Sequence, residues 1–166
     1  TTAALAMGDA LAMTVLVAKG FRPEDFANLH PGGRLGKQFM RVESLMHGGK
    51  DLPQVSLDTV MRDVIYEMSR KGLGMTCVAG AQGELLGIIT DGDLRRLMER
   101  AGDILTLRAA DVMTRHPATV APRTLAAAAL NILEQRKITA LVVAEGEPAR
   151  AVGVVHLHDL WRTELV

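Results

Sequence analysis

Gly87-Ile88-Ile89-Thr90-Asp91-Gly92-Asp93-Leu94 returns 66 residues later as Gly153-Val154-Val155-His156-Leu157-His158-Asp159-Leu160. Each copy passes from a glycine through two β-branched residues to a polar residue, and closes on Asp-Leu. The β-branched pair favours a strand, and a polar residue followed three positions later by an acid marks a helix start. Both stretches therefore read as a strand running directly into a helix. Working outward, Ser44-Leu45-Met46 is echoed by Asp111-Val112-Met113 at an offset of 67, and Val55 with Thr59 by Val120 with Thr124 at 65. A nearly constant offset over three separate blocks indicates an internal duplication.

Each copy has the same plan. A helix comes first, with Val60, Val64, Ile65 and Met68 on one face, or the Ala-rich stretch 125–133 in the second copy. Two β-rich runs follow, 76–79 and 85–90, around the polar turn Ala81-Gln82-Gly83. Their counterparts are 141–144 and 151–156, around Gly146-Glu147-Pro148. These are hairpin signals. A second helix then carries Leu94, Leu97 and Met98 on one face, and a short leading strand is expected near Gln54-Val55 and Thr119-Val120. One such unit alone would have a thin core. The expected fold is therefore α/β of the α+β type, with two α-β-β-α repeats, 42–104 and 105–166, packed by their small sheets.

Bulk composition narrows the function classes. Among 166 residues, 19 basic and 19 acidic groups cancel, which argues against a nucleic-acid binder with its basic footprint. Three Phe, one Tyr and one Trp are too few for a single-strand binder built on stacking. Cys77 is the single cysteine and cannot form an internal disulfide, in keeping with a reducing, cytoplasmic setting.

Residues 3–18 are apolar apart from Gly8, Asp9 and Thr14. A secretory signal would carry a basic start and a cleavage site, and this stretch has neither. A membrane span needs roughly 20 apolar residues; this run is shorter and contains Asp9. It reads as a helix buried in a protein core and closed by Lys19-Gly20. A helix apolar on all sides needs protein on all sides, so residues 1–41 are expected to be the tail of a preceding domain.

The duplicated unit, with G-h-h-T-x-x-D-L at 87–94, resembles a tandem CBS-domain pair over about residues 42–166; the second copy departs from the motif with His156. The run Thr1-Thr2-Ala3-Ala4-Leu5-Ala6-Met7-Gly8-Asp9-Ala10-Leu11-Ala12, then Phe26, His30-Pro31-Gly32-Gly33 and Leu35-Gly36, is similar to the end of the sugar-isomerase (SIS) domain of D-arabinose 5-phosphate isomerases. Gly74-Met75-Thr76 and Thr90-Asp91-Gly92-Asp93-Leu94-Arg95-Arg96 match the CBS region of the same family. The resemblance implies a parent enzyme that interconverts D-ribulose 5-phosphate and D-arabinose 5-phosphate for Kdo and lipopolysaccharide synthesis. A homo-oligomer is expected, with no catalytic cofactor, no nucleic-acid partner and no membrane partner. The pair would bind a regulatory nucleotide or nucleotide sugar, CMP-Kdo being attractive, or would serve as a ligand-free oligomerisation module. The 166 residues alone are expected to be inactive.

Thr90 and Asp93 suit a helix capping box. The same strand-to-helix corner also suits a ligand phosphate at the helix N-terminus, with the carboxylate accepting from sugar hydroxyls, and the two roles are compatible. His156 and Asp159 are the second-copy equivalents; histidine imitates a threonine cap poorly, which favours a ligand contact, to phosphate if protonated. His156 and His158 form an H-x-H pair, but no further ligand stands at a recognised metal spacing, so no metal is expected. Met75 and Thr76 in one copy, and Thr139 and Ala140 in the other, are expected to wall a nucleobase and to face the Thr90 or His156 region across one cleft. Arg95, Arg96, Arg123 and Arg162 are expected mostly in solvent, with one or two free to meet a ligand anion. His30, in a Pro/Gly-rich loop, is by resemblance a catalytic acid/base of the parent enzyme, without a substrate pocket in this stretch.

Overall fold

The computed structural model describes residues 2–21, 25, 39–99 and 102–163. Helix α1 (Thr2–Ala18) buries none of its residues and leaves Leu5, Met7, Leu11, Met13 and Val17 exposed. Among the described residues, no helix is long and apolar enough to cross a membrane.

The rest forms two sheets. Strands β2 (Gln54–Ser56), β3 (Met75–Ala79) and β4 (Leu85–Thr90) lie in the first repeat, and β6 (Thr119–Val120), β7 (Ala140–Glu145) and β8 (Arg150–His156) in the second. In each, the short leading strand runs parallel to the first hairpin strand, and the hairpin is antiparallel. Helices α2 (Met61–Lys71) and α5 (Ala126–Arg136) precede the hairpins, and α3 (Asp91–Met98) and α6 (Leu157–Trp161) follow them. A short helix, α4 (Ala109–Val112), opens the second repeat.

The fourth strand of each sheet comes from the other repeat. Strand β1 (His47–Gly48) pairs with β8, and β5 (Thr114–Arg115) pairs with β4, giving sheet orders β1-β8-β7-β6 and β2-β3-β4-β5. Val42 belongs to the core of the second unit, and Ala109 and Met113 to the core of the first. The leading segments are thus exchanged. Two glycines permit this. A Cβ on Gly153 would stand 2.6 Å from Met46 Sδ, and one on Gly87 would stand 2.7 Å from the Thr114 carbonyl and 2.9 Å from Met113 Sδ. The motif glycine of each repeat is therefore the floor on which the other repeat's methionine lies.

Strand alternation divides the side chains between two layers. Met75 and Cys77 of β3 meet Val142 of β7 and Val154 of β8, forming the seam between the sheets. Val78 and Ile89 point the opposite way, onto Met61, Val64 and Met68 of α2. Val143 and Val155 do the same with Leu130 and Leu133 of α5. Leu94 of α3 is buried in the first unit's core and Leu97 packs against it, so of the apolar face expected on that helix only Met98 is left exposed. Cys77 is enclosed in the seam, and burial pushes its thiol up to about 12.

Candidate functional site

The seam opens at one end into a cleft of about 540 Å³. It lies where the two hairpins end. Met75 pairs with Thr90 across β3 and β4, and Ala140 pairs with His156 across β7 and β8. These four residues, with Gly74, Ile138 and Thr139, line the cleft. The two repeats thus present equivalent corners to one space. Equivalent backbone bonds hold the corners: Asp91 N–H donates to the Gly74 carbonyl at 3.0 Å, and Leu157 N–H to the Thr139 carbonyl at 2.8 Å.

Thr90 is the N-cap of α3. Its hydroxyl donates to Asp93 Oδ2 at 2.7 Å and accepts from Asp93 N–H, while Thr90 N–H donates to the same carboxylate at 2.9 Å. The other carboxylate oxygen accepts from Arg96 Nη2 at 2.6 Å and from the Thr114 hydroxyl at 3.2 Å. Burial alone would raise the Asp93 pKa; the bonds from Thr90, Arg96 and Thr114 outweigh it and hold the carboxyl below its ordinary value. Both oxygens are committed to the protein, and Asp93 is not among the residues lining the cleft. The Thr114 bond also ties the exchanged strand β5 to the cap.

His156 caps α6, contrary to the expectation that an imidazole would cap poorly. Its Nδ1 accepts from His158 N–H at 3.2 Å, and Asp159 Oδ2 accepts from His156 N–H at 3.0 Å. An accepting Nδ1 places the proton of the neutral ring on Nε2. Burial first, then the His158 and His47 charges, lower the His156 pKa against an opposing effect of Asp159. At neutral pH His156 therefore offers an uncharged donor. Its ring stacks on that of His158, with centroids 5.1 Å apart. Asp159 also accepts from His47 Nε2 at 3.0 Å, which joins β1 to the cap of α6.

Of the residues expected at a ligand, Met75, Thr90, Thr139, Ala140 and His156 line the cleft, whereas Thr76, Asp93 and Asp159 do not. Strand alternation turns the fully buried Thr76 away from its neighbour Met75, and the two acids are drawn into caps. Arg95, Arg96, Asp91 and Lys137 also line the cleft, and Arg123 and Arg162 do not. Lys137 escaped sequence analysis. The available signal was the repeat itself, which sets Lys137 opposite Gly72 at the ends of α5 and α2. Two of the first three backbone N–H groups of α3, and two of α6, are already engaged by loops and caps, so charge at the mouth rests on side chains. Among the described residues, no group of three or more His, Cys, Asp or Glu is placed to hold a metal ion. His30 lies outside the described residues.

Two pseudo-equivalent α/β units that exchange leading segments and close one cleft between their hairpin ends make a paired-repeat module. The chain belongs to the CBS domain family, matched over residues 42–100 and 109–160. Among curated proteins, it is 50% identical over 163 residues to arabinose 5-phosphate isomerase KdsD of Pseudomonas aeruginosa, covering 98% of this chain and 50% of that protein. The proteins of the same name from Yersinia pestis and Escherichia coli K12 are 48% and 46% identical over 167 residues, covering all of this chain and 50% of each. The chain thus spans about half the length of the curated relatives it matches. Among solved structures, CBSX2 in complex with AMP aligns with a TM-score of 0.62 at 21% identity, over 75% of this chain and 96% of that one. A putative acetoin utilization protein (AcuB) from Vibrio cholerae aligns at 0.67 and 20% identity, over 76% and 91%. PAE2072 from Pyrobaculum aerophilum, complexed with AMP, aligns at 0.63 and 17%, over 72% and 89%. At these identities the shared property is the fold.

Proposed function

We propose that the chain is the effector-sensing CBS pair of an arabinose 5-phosphate isomerase, and that residues 1–41 are the end of that enzyme's sugar-isomerase domain. The parent would interconvert D-ribulose 5-phosphate and D-arabinose 5-phosphate. The observation that carries this reading is identity of 46–50% along essentially the whole chain to proteins of that name. The apolar surface of α1, none of whose residues is buried, supports the domain assignment, because such a helix needs a protein cover.

The effector would occupy the cleft between the hairpin ends. In support, cleft residues come from both repeats, and two structural neighbours of the same fold were solved with AMP. A nucleobase would lie against Met75 and the 138–140 strand entry, with Thr90 and neutral His156 at its polar groups. The preferred ligand is CMP-Kdo, which joins a nucleotide, a phosphate and a sugar acid. An effector shifts activity only by its difference in affinity for two states of the enzyme. Calorimetry on this chain with CMP-Kdo, CMP, AMP and ATP tests the reading: heat with CMP-Kdo is expected, and none with any cytidine ligand would remove CMP-Kdo as the effector. The alternative, a ligand-free oligomerisation module, is weakened because Leu94 and Leu97 serve their own core.

A further inference from the structure

The cleft breaks the pseudo-symmetry of the repeats through its charges. Arg95 and Arg96 line it from the first unit; their counterparts 66 residues later, Trp161 and Arg162, do not line it. Lys137 lines it from the second unit, and its counterpart 65 residues earlier is Gly72. Arg96 is spent on Asp93, at 2.6 Å. Arg95 and Lys137 are both exposed, and neither side chain has a hydrogen-bond or ion-pair partner among the described residues.

Lys137 also stands in an unfavourable backbone. It follows the last turn of α5 with φ +53°, where its N–H closes the helix on the Leu133 and Glu134 carbonyls. Gly72 closes α2 in the same left-handed conformation, with φ +67°. Glycine takes this position without a Cβ penalty, and a lysine does not. Strain of this kind at a cleft points from the backbone to a use for the side chain.

We propose that the cleft takes one small polyanion per chain, a ligand bearing two negatively charged groups, and that Arg95 of the first repeat and Lys137 of the second each hold one of them. Phosphate and carboxylate are the groups that suit a guanidinium and an ammonium. Among the described residues, Arg95 and Lys137 are the one pair of unpartnered cations lining the cleft, beside the single acid Asp91, so occupancy is single and its orientation fixed. The ligand bridges the two repeats, so binding reports on their relative position. This rests on the cleft being the effector site, but not on the effector containing a nucleoside.

Calorimetry on the 166-residue chain, with inorganic pyrophosphate as the probe beside CMP, AMP and ATP, tests it. One site per chain is expected for pyrophosphate. Lys137→Gly and Arg95→Gln should each weaken binding by about tenfold, the scale of one lost charge-assisted bond, while Arg162→Gln leaves it unchanged. Lys137→Gly should not lower the melting temperature, since it relieves the left-handed lysine; a purely structural lysine would leave affinity untouched. Two sites per chain, no pyrophosphate binding, or unchanged affinity in Lys137→Gly overturns the inference. Pyrophosphate binding that needs Lys137 with no heat from any nucleotide upholds it and sinks the nucleotide reading. Nucleotide binding indifferent to both variants does the reverse.

Discussion

Replacing Gly87 by alanine sets a methyl carbon 2.7 Å from the Thr114 carbonyl oxygen and 2.9 Å from Met113 Sδ. Even a close carbon–oxygen contact needs about 3.3 Å, so β4 and β5 must part by roughly half an ångström. The sulfur can swing aside, but the carbonyl belongs to the backbone of a two-residue strand paired only through Gly87–Arg115 and Ile88–Thr114. Overpacking of this kind costs about 1–3 kcal/mol, and the backbone obstacle places Gly87→Ala in the upper half. About 2–3 kcal/mol corresponds to a fall in melting temperature of roughly 5–10 °C at this chain length. Gly153→Ala meets only Met46 side-chain atoms, at 2.6, 2.9 and 3.1 Å, so it should cost less, near 1 kcal/mol. Combined with Met46→Ala, its methyl group would fill part of the vacated space, and the double variant should be less damaged than the sum by about 1 kcal/mol. Urea unfolding of the four proteins in the Gly153/Met46 cycle, with Gly87→Ala beside them, measures this. A Gly87→Ala protein melting within a degree of the parent, or a strictly additive cycle, would refute crossed packing as the reason for the motif glycines.

The Thr90 cap supplies a second test: Thr90→Val should lower stability by about 1 kcal/mol, seen as an earlier urea midpoint. Asp93 has its folded pKa held below the ordinary 3.8, so its contribution is present above that pH and lost as the pH falls through the lower folded value. Asp93→Asn should therefore flatten the acid limb of the stability curve below pH 3.8; an unchanged limb would contradict the bonds assigned to it. His156 is likewise lowered from 6.5, so the stability tied to its neutral ring is full above 6.5 and lost as the pH falls from there towards the folded value. Ring NMR should give its midpoint below 6.5, and one above would reverse the donor role given to it. Cys77, with its thiol pushed up to about 12, should resist alkylation at pH 8 until the protein unfolds; rapid labelling of native protein would contradict a closed seam.

Much of the fold was legible because both repeats obey local rules. β-branched runs, polar turns and a capping threonine specify strand, turn and helix start through contacts a few residues apart. Two copies of the pattern also exposed the duplication, and with it the pairing of 74–76 with 138–140. What the chain does with Met46 and Met113 was not legible, since their contacts lie about a hundred residues away in one case and within the neighbouring strand in the other. Asp93 and Asp159 looked available to a ligand because sequence cannot show how many donors surround a carboxylate. Arg96, the Thr114 hydroxyl and His47 arrive from other turns and strands to engage them. Histidine as a helix cap was likewise hidden, because it depends on a rotamer that brings Nδ1 to the next turn.

The sequence by itself determined two α-β-β-α repeats, the corners at Thr90 and His156, and an apolar N-terminal helix, because these follow from periodicity and short-range hydrogen bonding. Tertiary structure alone decided which repeat owns which edge strand, and which corner residues face the shared cleft rather than a cap. It also decided that Arg95 and Lys137 look into one space from opposite halves. Those outcomes depend on where chain segments far apart in sequence come to rest, and on competition among donors for the same few carboxylates.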